Sequence, residues 1–303
     1  MTWNDNLTPH LLDFLFELEK DGLKTPFIIA GGFGLFLKRR YLVKRQERTL
    51  PGGLPDPRST EDIDIFVRRT TLRDRQQTQS IKDALNRLQY EVIETAKYMQ
   101  WRKTTPLQSS TGEVKIDFLI GNVDTYRESL HIEKGRNPRR ARNHSVHGFH
   151  ARITPEALLI DEKAREIPFS GKRSNENTYE TTVCIPHPFT YLMMKLFAFR
   201  DRQGGPHERH HAFDAFSIIR LLTEQELNEA VELGKNYAAE PSVREANQIV
   251  QDNFTGKSPK GMIAVKSHRS FSEKFEARHY DEFVQILTEI FNNDVIDSSE
   301  PQS

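Results

Sequence analysis

DIDIFV, residues 62–67, alternates acid and isoleucine at the period of a β-strand, so Asp62 and Asp64 share one face while Ile63 and Ile65 take the other. Adjacent carboxylates repel unless a cation lies between them, and an ordinary half-buried strand spends its polar face on threonines or mixed charges. A divalent metal removes the conflict. Further along, VKIDFLI (114–120) repeats the alternation, burying Val114, Ile116 and Phe118 and turning Asp117 to the opposite side. If the two strands are neighbours, three aspartates converge. Three hard oxygen ligands with room left for phosphate and water suit Mg²⁺. Two such ions would activate an attacking hydroxyl and stabilise a leaving pyrophosphate.

Upstream, the apolar run PFIIA (26–30) breaks at Gly31 and Gly32 and leads into FGLFLKRRYLVKRQ (33–46), which reads as strand, glycine turn and helix. The backbone N–H groups of the two glycines and the helix N-terminus can cradle a triphosphate without side-chain obstruction. Arg58, Ser59 and Thr60 immediately precede the acidic strand. Arg58 and Ser59 are the phosphate-binding candidates there, with Arg58 also readable as a simple loop charge.

In this order, GG, then RSTEDIDIFV, then VKIDF resemble the signature of the DNA polymerase β-like nucleotidyltransferase superfamily. The later run HPFTYLMMKLFAFRDRQ (187–203) followed by ERHHAFDAFSIIRLL (208–222) resembles the helical half of the AbiEii-type toxins, nucleotidyltransferases of bacterial toxin-antitoxin and phage-defence systems. The resemblance implies that Lys195 and Asp214 complete the active site, the lysine reaching the donor phosphates. By its residues alone Lys195, beside Tyr191, Leu192, Ala198 and Phe199 at helical spacing, is also readable as an ion pair with Asp214 or a snorkelling side chain.

The resemblance further implies an NTP donor, Mg²⁺ as cofactor, an RNA acceptor with the tRNA 3′ end as first candidate, and a cognate antitoxin protein as partner. Transfer to a protein hydroxyl or a small molecule such as an aminoglycoside needs the same metal chemistry. A non-catalytic nucleotide-binding module would keep the fold without turnover. The chain departs from the superfamily pattern between Gly32 and Asp62, a longer stretch than usual that holds a Pro/Gly loop and most of one basic cluster. No motif is recognisable in the helical tail beyond residue 224.

The chain has 303 residues, enough for a hydrophobic core without disulfide or metal staples. Its one cysteine, Cys184, rules out an intramolecular disulfide, fits a reducing compartment and reads as a small buried hydrophobe. No stretch approaches eighteen continuous apolar residues and no basic-then-apolar leader opens the chain, so a cytoplasmic location without membrane contact is expected. Lys plus Arg and Asp plus Glu balance at 43 each, so no global field selects a polyanionic partner. Two local clusters stand out: Arg39, Arg40, Lys44, Arg45 and Arg48, and Lys134, Arg136, Arg139, Arg140 and Arg142.

Periodicity predicts helices over 11–23, 33–46 and 71–88, and strands over 90–104 and 112–121. Between 137 and 186 it predicts short strands (HGFHARI, TYETTVCI) around a helical piece PEALLIDEKA (155–164) and a polar loop SGKRSNEN (170–177). After Pro186 the pattern is helical over 187–202, 208–222, 224–238, 242–252 and 272–292. The expectation is an α/β fold: a polymerase β-like mixed-sheet domain over 1–186, an α-helical domain over 187–293 and a disordered tail over 294–303. His207, His210 and His211 lack a cysteine or acidic ligand motif nearby and read as a solvated helix start rather than a zinc site.

Overall fold

In the computed structural model the described residues are 6–24, 27–50, 54–55, 58, 60–96, 99–106, 111–121, 131–132, 143–146, 148–205, 207–256, 259–270 and 277–291. They form an α/β structure in which a mixed sheet with its helices is followed by a helical region. The chain divides into two compact units, one of residues 1–46 and 57–190, the other of residues 47–56 and 191–303.

Among the described residues the first unit holds ten strands in one sheet. They are β1 (Ile28–Ile29), β2 (Asp62–Phe66), β3 (Glu91–Val92), β4 (Gln100–Pro106), β5 (Thr111–Ile120), β6 (His131–Ile132), β7 (Asn143–Val146), β8 (Phe149–Ile153), β9 (Arg165–Lys172) and β10 (Thr178–Ile185). The main path runs β6-β7-β8-β5-β2-β1-β10-β9, with β4 pairing β5 and β3. β2 and β5 are parallel neighbours, Asp64 lying directly opposite Asp117. On the other side of β5, β4 runs antiparallel with Gln100 opposite Asp117, and β8 takes over in parallel at Leu119 and Ile120. Two residues long, β1 joins the halves of the sheet: Ile28 faces Phe66 of β2 on one side and Cys184 of β10 on the other.

Alternation separates the two faces. Ile63, Ile65, Ile116 and Phe118 are all buried and pack in one cluster with Leu11, Leu12, Phe14, Leu15 and Leu18 of α1 (Thr8–Lys20) and Ile81, Ala84 and Leu85 of α4 (Arg75–Arg87). Phe118 meets Phe14 and Phe149 edge-on, its ring centroid 4.9 Å from that of Phe149. Truncating such a ring to alanine typically costs about 3–5 kcal/mol. Arg87 ties the two helices together through Glu17 at 2.8 Å. That leaves the carboxylates on the face which α1 and α4 do not cover.

Several elements differ from the expectation for physical reasons. The helix predicted over 71–88 is two, α3 (Arg69–Arg73) and α4, because Asp74 leaves the helical conformation to accept the N–H groups of Gln76 and Gln77 as an N-cap. The strand predicted over 90–104 is interrupted by a 3₁₀ turn at Glu94–Ala96 between β3 and β4. PEALLIDEKA forms no helix: the segment runs in turns, Leu159 takes a left-handed φ of 61°, and Arg69 grips Asp161 at 2.6 Å. Thr190 Oγ1 donates to the Leu158 carbonyl at 2.5 Å. These long-range ties outweigh the local propensity. β9 was not anticipated, and it takes in the start of the expected polar loop 170–177; it ends the strand path, where Pro168 is tolerated.

In the second unit α5 (Pro188–Asp201), which begins in the first, is buried almost all round from Tyr191 to Phe199. The unit also holds α6 (Glu208–Arg220), α7 (Glu224–Asn236), α8 (Pro241–Phe254), α9 (Lys260–Lys266) and α10 (Ala277–Phe291), of which the periodicity does not predict α9. Thr223 and Glu226 close a capping box at the start of α7. The tail after residue 224 is packing: Phe283 of α10 meets Phe216 and Phe254 at 5.5 and 5.7 Å. Part of the long stretch between Gly32 and Asp62 also belongs here, with the Leu50 N–H bonded to the Leu222 carbonyl at 2.9 Å. Among the described residues no helix is long and apolar enough to cross a membrane. The basic cluster 134–142 and the tail 294–303 lie outside the described residues.

Candidate active site

The polar face of β2, β5 and β4 is built in rungs set by strand register. One rung is Asp64, Asp117 and Gln100; the next is Asp62, Lys115 and Arg102. Gln100 Nε2 donates to Asp117 Oδ2 at 2.7 Å. Asp117 itself is buried, 9 % exposed, and its Oδ1 is buried without a hydrogen-bond partner among the described residues. A buried carboxylate oxygen left in that state is costly unless a ligand meets it.

Burial, then the neighbouring Asp64 charge, pushes the Asp117 carboxyl up to about 7, opposed by the Gln100 amide and by Arg152 of β8. Asp62 is raised as well, by burial first and Asp64 second, with Lys115 pulling the other way. Both shifts report carboxyls taken out of water first and crowded by a like charge second.

The glycine turn lies directly on this face. Ala30 N–H bonds to the Asp64 carbonyl at 2.9 Å and extends the β1–β2 ladder to the start of α2 (Gly31–Arg45). Gly31 has φ 62°, and a Cβ placed there would fall 1.7 Å from Asp64 Oδ2. Both the backbone angle and the carboxylate therefore demand glycine. At Gly32 a Cβ would lie 3.1 Å from the Arg58 guanidinium, so that side chain rests on the first turn of α2. The N-cap residue is Ala30, whose side chain offers no cap. Gly31, Gly32, Arg58, Asp62, Asp64 and Asp117 thus lie in one neighbourhood of the first unit, while Ser59 lies outside the described residues.

Among the described residues no three His, Cys, Asp or Glu side chains stand close enough to hold a metal ion as they are. The donor set that fits a hard cation is narrower than a closed cage. It is Asp64 beside Asp117, with the unpartnered Asp117 Oδ1, and Asp62 two residues along β2. Mg²⁺ is compatible with this, because it takes one or two carboxylates and completes its shell with water and substrate phosphate.

Lys195 and Asp214 belong to the second unit, on α5 and α6, and pair with each other at 2.7 Å with side chains 9 % and 1 % exposed. Of the three histidines only His207, exposed at the N-cap of α6, is a solvated helix start. His211 is buried and its Nε2 meets Arg202 at 2.8 Å, while His210 Nδ1 meets His268 Nε2 at 2.8 Å. His268 is itself buried and stacked on Phe213. Cys184 is fully buried, its thiol pushed up by burial, and accepts from Arg68 Nη2 at 3.2 Å.

Gln100, Lys115 and Arg152 were not singled out from sequence. Alternation in QWRKT would have put Gln100 and Arg102 on one face, but which strand they adjoin is a matter of register that one sequence does not state.

No protein-family model matches the chain, and no curated protein matches it. Among solved structures it is similar to the crystal structure of an antigenic nucleotidyltransferase-like protein from Paracoccidioides brasiliensis. That match has 15 % identity over 80 % of this chain and 92 % of the other, with a TM-score of 0.39. A likeness this loose transfers no activity.

Proposed function

We propose that the protein is a Mg²⁺-dependent nucleotidyltransferase that moves NMP from an NTP to a hydroxyl, with RNA, the tRNA 3′ end first, as acceptor. The observation that carries this reading is Asp64 directly opposite Asp117 on parallel strands, with the glycine start of α2 lying over Asp64. Asp62, Asp64 and Asp117 would hold the metal, which would supply charge neutralisation at the transferring phosphorus. Gly31, Gly32 and Arg58, with Ser59 beside them in sequence, would bind donor phosphates through backbone N–H groups and charge. Asp117 would orient or accept the proton of the attacking hydroxyl, its Oδ2 held by Gln100 and its Oδ1 left without a partner among the described residues.

The resemblance to AbiEii-type toxins adds a role in toxin-antitoxin or phage defence and a phosphate-contacting role for Lys195, held by Asp214. The buried ion pair is equally complete as a structural element. Incubation with Mg²⁺, each labelled NTP in turn, and total bacterial RNA or total protein tests the assignment. Label on RNA is expected. Label on protein or on added aminoglycoside, with none on RNA, overturns the acceptor. Full transfer by Asp64→Ala overturns the site.

A further inference from the structure

One rung beyond the Asp64–Asp117 pair, Lys115 of β5 and Arg102 of β4 lie directly opposite each other. Like charges in that relation destabilise a sheet unless an anion lies between them. Two anions stand beside them: Asp62, opposite Lys115 on β2, and Glu113, two residues along β5 on the same face, 3.2 Å from Lys115 and 3.6 Å from Arg102. The side chains of the last three are open to solvent, at 33 % for Lys115, 49 % for Arg102 and 38 % for Glu113. Lys115 offsets the Asp62 charge, but exposed ion pairs contribute only about 0–1 kcal/mol, so the contact with Glu113 does not by itself account for Arg102 facing Lys115.

We propose that Lys115 and Arg102 form a binding site for the phosphodiester backbone of a polyanionic acceptor, with Glu113 as its stand-in until that acceptor arrives. A phosphate oxygen brings the charge that Glu113 now supplies and matches the guanidinium fork of Arg102. The site lies about 7 Å along the strand from the Asp64–Asp117 rung, of the order of one nucleotide step. A chain whose terminal hydroxyl reaches Asp117 therefore lays its next phosphate over Lys115 and Arg102. This assignment rests on the transferase reading above, but its test does not depend on turnover.

The probe is a fluorescently labelled single-stranded oligoribonucleotide with a free 3′ hydroxyl, and anisotropy is read without NTP across a salt series. Lys115→Gln and Arg102→Gln should each weaken binding about 3- to 10-fold and lower the salt slope by roughly 0.7, one phosphate contact on a single strand. Glu113→Gln should act in the opposite direction and tighten binding about 3-fold, because the competing anion is gone. NTP affinity, read by calorimetry with Mg²⁺, should be unchanged in Arg102→Gln and Glu113→Gln, which do not face Asp62 across the β2–β5 register, and melting points confirm that each variant is folded.

Unchanged oligoribonucleotide binding in the two cation variants, weaker binding in Glu113→Gln, or no binding by the wild-type chain at low salt overturns the proposal. So does loss of NTP affinity in place of RNA affinity, which would assign the pair to the donor. Failure of Asp64→Ala to abolish transfer would remove the transferase reading while leaving these binding results to stand on their own.

Discussion

Each unit holds a pair of charged side chains with at least one member buried, and the two pairs are built on opposite terms. In the sheet unit Asp64 and Asp117 carry like charge in register, and one oxygen of the buried Asp117 has no partner among the described residues. In the helical unit Lys195 and Asp214 carry opposite charge and close on each other at 2.7 Å. The first pair is frustrated until a cation joins it, whereas the second is satisfied by folding alone. Burial of charge by itself therefore does not mark a functional site; unmet valence does.

The sharpest break in that comparison comes from removing one member of each pair. Asp64→Ala should lower transfer at least ~10³-fold while the melting point holds or rises, since the mutation relieves repulsion. Activity measured at fixed Mg²⁺ alongside a thermal melt checks both halves, and unchanged transfer would remove Asp64 from the site. Lys195→Ala should instead cost about 3–5 kcal/mol of stability, because it strands Asp214 as an uncompensated buried charge. Denaturant unfolding reads that loss. Loss of activity with stability intact would move Lys195 from structural partner to donor-phosphate contact.

The acid pair also has a pH signature. The Asp117 carboxyl is raised from its ordinary value, so the folded state binds more protons than the unfolded one between about pH 4 and pH 7, and stability falls as pH rises through that window. Without metal, Asp117→Asn should flatten the fall, worth a few kcal/mol at most in a coupled site. Mg²⁺ should raise the melting point of the wild type more at pH 8 than at pH 5, as the ion binds the deprotonated acids. A wild-type stability that rises across the same window would contradict the raised carboxyl.

The smallest effect belongs to Gln100, whose amide fixes one oxygen of Asp117 and leaves the other for a ligand. Gln100→Leu should weaken Mn²⁺ binding, followed by electron paramagnetic resonance, about 10-fold while leaving the fold in place. Unchanged Mn²⁺ affinity would reduce Gln100 to a cross-strand packing residue.

β2 and β5 were legible in the sequence because strict alternation leaves one solution for which side chains face inward, and the acids followed from that. The glycine turn was legible for a related reason, since a two-glycine break between an apolar run and an amphipathic run has few uses. What alternation does not carry is register. It identified Asp64 and Asp117 separately but not that they are opposite each other, nor that Gln100 and Lys115 complete the two rungs. PEALLIDEKA misled because its helical propensity is local, whereas the Arg69–Asp161 and Thr190–Leu158 contacts that unwind it come from far along the chain. β9 was hidden by Pro168 and Gly171, which read as loop residues unless the strand is known to end the sheet.

The two-residue strand β1 bears on how the chain is made. Its neighbours are β2, soon after it in sequence, and β10, which emerges from the ribosome only after most of the first unit has been synthesised. Strands 62–66 and 111–120 can pair early, but the segment that presents Gly31 to Asp64 has its second edge satisfied only when Cys184 arrives. A nascent chain truncated before β10 would carry the acids without a fully anchored glycine turn. The glycine turn would then be completed late in translation, after the acid-bearing strands are already in place.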